Sequence, residues 1–268
     1  MIELYEDQLK MFDRQSSKGN QLKWQDGNYW YKADYAGYES LSEYIVSELL
    51  SKTTLRNDEF VSYNLEQIKY KRKVFNGAKS ENFLLDGWQI ITLERLYKSK
   101  KGNSLLQAVW KYKTADERIS FFVNEVIKLT GLEDFGIYLS KMLTIDAFFL
   151  NEDRHMHNIA VLMDGDGNYK LCPIFDNGAA LLSDITLDYP LDGDVMEMMD
   201  EVKSKTICTD FDEQLDAVEK AYGCNIKFNF DKKDVDRLLD NQSIYSKDIV
   251  ERVRTIMYQR IRKFQYLF

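Results

Sequence analysis

The sequence predicts an α+β protein in which a small strand-rich part precedes a larger, mostly helical part. Residues 1–97 contain short alternating stretches separated by Gly, Asn and Asp, which is typical of strands and turns. From about residue 103 onward, apolar residues recur mainly at helical spacing. We therefore divide the chain into residues 1–97 and 98–268, which together are long enough to bury a sizeable core.

The composition is that of a soluble globular protein, with 30% charged and 44% hydrophobic residues. A net charge of −8 disfavours broad contact with nucleic acid or anionic membranes, because such surfaces require clustered Lys and Arg. The sequence has no apolar stretch long enough to cross a bilayer and no signal-peptide pattern. Its three widely spaced cysteines favour reduced thiols, so we expect a cytoplasmic protein without direct nucleic-acid or membrane binding.

The first part is predicted to contain strands and one helix. The stretches "GNQLKW", "GNYWYKAD" and "DGWQIITLERL" carry turn residues at their ends and are predicted to be strands. Between the second and third of these, "SLSEYIVSELLSKT" places apolar residues at helical spacing, and Ser40 is its expected N-cap.

The second part is predicted to be a series of helices interrupted by one hairpin. Its helical patterns are "SLLQAVWKY", "ISFFVNEVIKLTG", "GIYLSKMLTIDAFFL", "DVMEMMDEVKS", "FDEQLDAVEKAYG", "KDVDRLLDN" and "SKDIVERVRTIMYQRIRKFQYLF". Gly131 is expected to end the second helix. The hairpin is formed by "IAVLM" and "YKLCPIF", with "DGDGN" as its turn.

Residues 151–158, "NEDRHMHN", follow a buried helix and directly precede this hairpin. Asn158 enters the first strand and Asp176 leaves the second, so we expect their side chains to lie within roughly 10 Å of each other. Asp153 lies five residues before Asn158. Carboxylate and carboxamide oxygens are the ligands that Mg²⁺ prefers, so these three residues predict a magnesium site.

The spacing of these residues matches that of protein kinases, which transfer a phosphoryl group from ATP. Protein kinases use Asp-x-x-x-x-Asn, then Asp-x-Gly after a hairpin; the first Asp accepts the hydroxyl proton, and the Asn and second Asp hold magnesium. Asp153 and Asn158 fit the first element, and Asp176-Asn177-Gly178 fits the second. The sequence therefore predicts Asp153 as the catalytic base and Asn158 and Asp176 as metal ligands.

A kinase also requires a phosphate loop, a strand lysine and a helix glutamate that holds the lysine. "SSKGNQLKW" provides a small polar turn, Lys32 lies in the next predicted strand, and Glu43 lies on the predicted helix. Lys23 is the alternative candidate for the strand lysine, and Glu48 is the alternative candidate for the helix glutamate. We expect the adenine near the end of the third strand, around Glu94 and Leu96.

Two alternative functions stay open. His155 and His157, together with Asp153 and Asp176, could bind Zn²⁺ or Mn²⁺ in a metal-dependent hydrolase, although the chain contains no third histidine. A nucleotide-binding pseudokinase or regulatory binding module would keep the fold but lose one of the functional side chains, and none of them is missing here.

The sequence resembles the HipA-like serine/threonine kinases over roughly residues 14–220. The matching stretches are "SSKGNQLK", Lys32, "NEDRHMHN" and "PIFDNGAAL". In this family the catalytic loop has the form Asn-x-Asp-x-His-x-x-Asn, which Asn151, Asp153, His155 and Asn158 match. We expect Asn151 and His155 to support the loop rather than to react.

The resemblance implies a two-lobed protein-kinase-like fold, with a small strand-rich N-lobe and a larger, mostly helical C-lobe. It implies ATP and Mg²⁺ as cofactors and serine/threonine phosphorylation of a protein substrate. It also implies a phosphate loop built from Ser16, Ser17, Gly19 and Gln21, in which Ser16 or Ser17 can be autophosphorylated.

The resemblance also bears on size and partners. The chain starts close to the phosphate loop, so we expect a compact form without the amino-terminal subdomain of full-length HipA. From the resemblance we also expect a role in a toxin–antitoxin system, with an antitoxin or inhibitor protein as partner.

Overall fold

The computed structural model describes residues 1–10 and 21–268, and these residues form two compact units that are each built from several segments of the chain. Unit 1 comprises Met1–Asn82, Asp176–Val202 and Lys227–Phe268, and unit 2 comprises Phe83–Phe175 and Lys203–Ile226. The predicted lobes, residues 1–97 and 98–268, stay a prediction.

The described residues contain strands and helices, as the sequence predicts. The strands are β1 (Ile2–Leu4), β2 (Lys23–Asp26), β3 (Tyr29–Ala33), β4 (Tyr63–Tyr70), β5 (Lys73–Glu81), β6 (Gln89–Thr92), β7 (Ala160–Met163) and β8 (Tyr169–Leu171). The helices are α1 (Glu39–Leu50), α2 (Leu93–Lys101), α3 (Leu105–Val109), α4 (Ala115–Thr130), α5 (Phe135–Phe149), α6 (Val195–Glu201), α7 (Phe211–Tyr222), α8 (Lys232–Asn241) and α9 (Lys247–Lys263), followed by a 3₁₀ turn at Gln265–Leu267. None of the helices in the described ranges has the length and apolar character needed to span a membrane.

Unit 1 contains a five-stranded sheet in the order β1-β4-β5-β3-β2. β1 pairs with β4 in parallel, and the other neighbours are antiparallel. Trp24, Tyr31, Ala33 and Ile68 form a buried cluster on one face of this sheet. Because side chains alternate along a strand, Lys32 lies on the opposite face of β3 from Tyr31 and Ala33.

Helix α1 begins at Glu39. The prediction that Ser40 is its N-cap is therefore wrong. Tyr38 occupies that position without a capping hydrogen bond from its side chain. Asp34 accepts the backbone N–H of Ser40 at 2.7 Å, and Glu39 accepts that of Ala36 at 2.6 Å. These carboxylates satisfy the N–H groups around the helix start, so the helix does not need the Ser40 hydroxyl as a cap.

Unit 2 contains helices α2–α5 and α7 and a three-stranded antiparallel sheet in the order β6-β7-β8. Gly131 ends α4 with a φ of 74°, as predicted. The predicted β7–β8 hairpin is also confirmed. Asp164 fixes its turn by accepting the backbone N–H groups of Asp166 and Asn168. Helix α5, which precedes residues 151–158, is almost entirely buried.

Two sequence interpretations differ from the structure. "DGWQIITLERL" is a strand only as far as Thr92, because the Thr92 hydroxyl accepts the backbone N–H of Arg95 and caps α2. The strands β1, β4 and β5 were not predicted from the sequence; β4 and β5 carry polar residues such as Glu66 and Asn76 at intermediate or exposed positions.

Asp34 couples the stability of unit 1 to pH. Burial raises its pKa from 3.8 to about 7, although its hydrogen bonds from Tyr245 and Ser40 act in the opposite direction. The Tyr245 hydroxyl donates to Oδ2 at 2.6 Å and ties the segment between α8 and α9 to the residue that follows β3.

Between about pH 4 and pH 7 the unfolded chain has lost the Asp34 proton while the folded chain keeps it, so the stability of the protein falls as pH rises. An Asp34→Asn variant lacks this dependence. We expect the free energy of unfolding of the variant, relative to wild type, to rise by up to about 1 kcal/mol per pH unit across this window. Urea unfolding at several pH values measures it, with exposed Asp58→Asn as control. A constant difference would contradict the expectation.

Candidate active site

Lys32 is held by two carboxylates inside unit 1. Its ammonium lies 2.7 Å from Glu43 Oε1 and 2.8 Å from Asp176 Oδ1. The Lys32 side chain is 14% exposed and that of Glu43 only 2%. Burial favours the neutral amine, but the charges of Asp176 and Glu43 outweigh it and raise the pKa of Lys32 well above its usual value. Lys32 is therefore a fixed cation.

The structure distinguishes Glu43 from Glu48. Both glutamates lie on α1, but the Lys32 ammonium contacts Glu43. The second oxygen of Glu43 accepts the backbone N–H of Asn177 at 2.9 Å. Glu43 thus links the strand lysine to the segment that begins with Asp176. Five positions on, Glu48 lies on a different face of the helix.

Lys23 is the direct cross-strand neighbour of Lys32. Burial lowers the pKa of Lys23, and the nearby charge of Asp176 opposes this effect. Lys23 therefore lies in the same electrostatic environment, but Lys32 makes the hydrogen bonds to both carboxylates. Of the predicted phosphate loop, Ser16, Ser17 and Gly19 lie outside the described residues, whereas Gln21 is described just before β2.

Asp176 adopts an unusual backbone conformation, with a φ of 62°. Asp and Asn tolerate this left-handed region better than most residues. The chain that follows is tied to α1 by side-chain hydrogen bonds, from the Ser42 hydroxyl to the Ala180 carbonyl and from the Tyr38 hydroxyl to the Leu181 carbonyl. The Asp176 carboxylate therefore projects from a segment that α1 holds in place.

The predicted catalytic loop belongs to unit 2 and begins after α5, which ends at Phe149 and is followed by its C-cap Leu150 with a φ of 57°. Asn151 donates its side-chain amide to Asp146 Oδ1 at 2.9 Å. Arg154 donates to the same carboxylate, with Nε 3.0 Å from Oδ2 and Nη2 3.0 Å from Oδ1. Both side chains of this ion pair are fully buried. The predicted role of Asn151 in supporting the loop would therefore act through its hydrogen bond to Asp146.

Arg154 also binds two backbone carbonyls. Its Nη1 donates to the Phe175 carbonyl at 2.5 Å and more weakly to the Asn158 carbonyl at 3.4 Å. From the sequence alone, neither Arg154 nor Asp146 was assigned a role. A single carboxylate within the apolar run "MLTIDAFFL" is the signal that could have identified Asp146. Burial raises the pKa of Asp146 despite the opposing charge of Arg154.

Asp153 and Asn158 are held together within this loop. Asn158 donates its side-chain amide to the Asp153 carbonyl at 2.9 Å, and its backbone N–H binds the His155 carbonyl at 2.7 Å. Because the NH₂ end of Asn158 is used by the loop, its oxygen is the end suited to a cation. Asn158 belongs to unit 2 and Asp176 to unit 1, and their approach stays a prediction.

The two histidines contact each other, with ring centroids 5.6 Å apart. His155 Nδ1 accepts the backbone N–H of His157 at 3.2 Å, while His155 Nε2 lies 3.9 Å from Asp153 Oδ2. One nitrogen of His155 is therefore engaged by the loop backbone. Within residues 1–10 and 21–268, no three His, Cys, Asp or Glu side chains converge as a metal site.

The residues expected near the adenine lie on the first turn of α2. Glu94 and Leu96 are both buried. Glu94 Oε2 accepts the backbone N–H of Leu106, near the start of α3, at 3.0 Å. Glu94 therefore has a structural contact of its own, and its role at the adenine stays a prediction.

The Arg154–Asp146 pair should dominate the stability of unit 2. Arg154→Met leaves a buried carboxylate without its cation, so we expect a loss of about 3–5 kcal/mol in the free energy of unfolding. The exposed pair of Arg56 with Asp58 is the matched control, and Arg56→Met should cost less than about 1 kcal/mol. Chemical denaturation measures both. Equal effects would refute the assignment, as would a double variant Asp146→Leu/Arg154→Met that is less stable than Arg154→Met.

Comparison with known proteins shows a likeness in structure alone. No protein-family model matches the sequence, and no curated protein sequence does. The Helicobacter pylori proinflammatory kinase CtkA superposes with a TM-score of 0.61 at 16% identity, over 98% of this chain and 95% of CtkA. HipA of Shewanella oneidensis MR-1, from a complex with HipB and operator DNA, gives a TM-score of 0.47 at 13% identity, over 97% of this chain and 63% of HipA. The likeness to CtkA shows that the chain has a kinase-like α+β fold, as the sequence predicts.

Proposed function

We propose that the chain is an ATP- and Mg²⁺-dependent serine/threonine protein kinase of HipA-like type. The observation that carries this proposal is the buried contact of the Lys32 ammonium with both Glu43 and Asp176. Protein kinases need a strand lysine paired with a helix glutamate, together with a metal-binding aspartate. A fixed cation with these partners suits the binding of the α- and β-phosphates of ATP.

The residues present fit a magnesium ion carried in with ATP. Asp176 and the Asn158 amide would supply hard oxygen ligands, which Mg²⁺ prefers. In the structure a cation already contacts the Asp176 carboxylate, namely the Lys32 ammonium at 2.8 Å. Bound Mg²⁺ would neutralise charge on the polyphosphate.

We assign the base role to Asp153. Its carboxylate would accept the proton of a serine or threonine hydroxyl while that oxygen attacks the γ-phosphorus. The loop holds Asp153 through the Asn158 side chain and through the backbone N–H of His155, which donates to the Asp153 carbonyl at 2.9 Å. The main work of this chain is therefore to orient the base and to stabilise the charge of the nucleotide.

Further parts of the proposal come from the resemblance in sequence. The backbone of Ser16, Ser17, Gly19 and Gln21 would cover the phosphates, with Ser16 or Ser17 as an autophosphorylation site. From the order of the predicted elements, and not from the resemblance, we propose that Glu94 and Leu96 border the adenine. The substrate would be a protein, and an antitoxin or inhibitor protein would be the regulatory partner.

Replacing the proposed base or metal ligand should abolish phosphoryl transfer. We expect Asp153→Asn and Asp176→Asn each to lower the transfer of label from γ-labelled ATP by about 10³-fold, because the proton acceptor or the metal ligand is lost. Asn also tolerates the backbone conformation at position 176. The assay uses Mg²⁺, a Ser/Thr-rich peptide library and the purified protein, and Asp166→Asn, in the exposed hairpin turn, is the control.

Three results would contradict the kinase. Equal transfer by wild type and both variants would assign the label to a contaminant. Binding of ATP without transfer would favour the pseudokinase. Co-purification of zinc without binding of magnesium nucleotide would favour the hydrolase that uses His155 and His157.

The two glutamates of α1 provide a second test. Glu43→Gln removes the charge that holds Lys32 but keeps an acceptor for the Asn177 N–H, so we expect kcat/KM for ATP to fall by on the order of 100-fold. Glu48→Gln has the same chemistry on the same helix and should leave kcat/KM unchanged. Initial rates over a range of ATP concentrations measure both. Similar losses in the two variants would mean that helix charge, and not the Lys32 contact, is responsible.

A further inference from the structure

Lys205 lies beside the proposed base but comes from a different part of unit 2. Its ammonium is 3.9 Å from Asp153 Oδ1 and 3.8 Å from Glu152 Oε2. These distances exceed those of hydrogen bonds, so neither carboxylate locks the ammonium in one position. The Lys205 side chain is 45% exposed, whereas those of Asp153 and Glu152 are 12% and 7% exposed. A cation that can move thus faces two largely buried carboxylates.

The backbone that carries Lys205 is fixed to the catalytic loop. Its two neighbours, Ser204 and Thr206, are buried. The Thr206 hydroxyl donates to the Arg154 carbonyl at 2.7 Å, directly beside Asp153. Gln214 Oε1 accepts the backbone N–H of Ile207 at 2.8 Å and holds the same segment from α7. The backbone at Lys205 is therefore held in place, and only the side chain can change its position during a reaction.

We propose that Lys205 is a catalytic residue whose ammonium donates to a non-bridging oxygen of the γ-phosphoryl group of ATP during transfer. This inference rests on the proposed kinase function. The acceptor oxygen forms a bond to the γ-phosphorus, and its proton passes to Asp153. The bond from the γ-phosphorus to the β–γ bridging oxygen breaks, and its electron pair leaves with ADP.

The geometry at Asp153 supports this role. The acceptor hydroxyl must lie within hydrogen-bond reach of the Asp153 carboxylate, and the transferring phosphoryl group adjoins that hydroxyl. An ammonium 3.9 Å from the same carboxylate would therefore lie next to a phosphoryl group placed there, and its side chain can adjust by rotation. Charge on these oxygens is what electrostatic catalysis of phosphoryl transfer must stabilise.

The loop has neither a lysine nor an arginine available to the phosphoryl group. "NEDRHMHN" contains no lysine, and its arginine is occupied by Asp146. The competing interpretation is a surface ion pair, which would contribute at most about 1 kcal/mol to stability and nothing to the reaction. Turnover and binding measurements separate the two.

The first measurement compares Lys205→Ala and Lys205→Arg with Lys203→Ala, an exposed lysine on the same segment, in the label-transfer assay. We expect Lys205→Ala to lower kcat by about 100-fold, as loss of one charge-stabilising donor does, with little change in KM for ATP. Lys205→Arg should recover part of the rate because it keeps the cation. Lys203→Ala should behave as wild type.

The second measurement does not require turnover. Calorimetry compares the affinity for MgADP alone with that for MgADP plus aluminium fluoride, a mimic of the phosphoryl group in transfer. We expect Lys205→Ala to weaken only the aluminium fluoride complex, by on the order of 100-fold.

The possible results are distinguishable. Wild-type kcat in Lys205→Ala, beside an inactive Asp153→Asn, would overturn the role of Lys205 and leave the kinase intact. Equal weakening of both nucleotide complexes, or a loss shared by Lys203→Ala, would show a structural role and also overturn it. Absence of transfer and of nucleotide binding in the wild type would overturn the proposed function and this inference together.

Discussion

The requirement that a buried charge be paired governs unit 1. An ammonium as enclosed as that of Lys32 is tolerated only because Glu43 and Asp176 both contact it. Satisfying this cation fixes the register of β3, the rotation of α1 and the position of the segment that begins at Asp176. The same three residues would carry the charge pattern that the proposed binding of ATP needs. Structure and proposed chemistry in unit 1 therefore depend on one cluster.

Unit 2 meets an equivalent requirement with a different pair. The Arg154 guanidinium neutralises Asp146 and also binds the carbonyls of Phe175 and Asn158. A planar group with five N–H donors can bind a carboxylate on a helix through two bonds and still reach two carbonyls, one in the loop and one in the segment after β8, whereas a lysine has only three donors. The predicted catalytic loop is thus anchored by a buried ion pair, in addition to the hydrogen bonds that the Asp153 carbonyl accepts within it.

Much of the fold and part of the site could be predicted because they depend on short-range patterns. Alternation placed Lys32 in a strand, helical spacing placed Glu43 on α1, and "DGDGN" marked the hairpin. The position of Lys205 depends on a contact between residues far apart in the chain, and the partner of Arg154 depends on which of several nearby carboxylates becomes buried. Such information is not contained in local spacing. The predicted N-cap of α1 was wrong for a related reason, since Asp34 accepts the Ser40 N–H from outside the helix.

The left-handed backbone at Asp176 bears on how relatives of this chain are interpreted. A φ of 62° admits Gly more readily than Asp, and Asn about as readily, whatever the side chain does. Finding Asn or Gly at this position in another sequence would therefore report only that the turn is kept. Finding Asp there, with Lys and Glu at the positions of Lys32 and Glu43, would report that the charge is kept as well. Under the proposed function, that distinction would separate active kinases from inactive copies of the same fold.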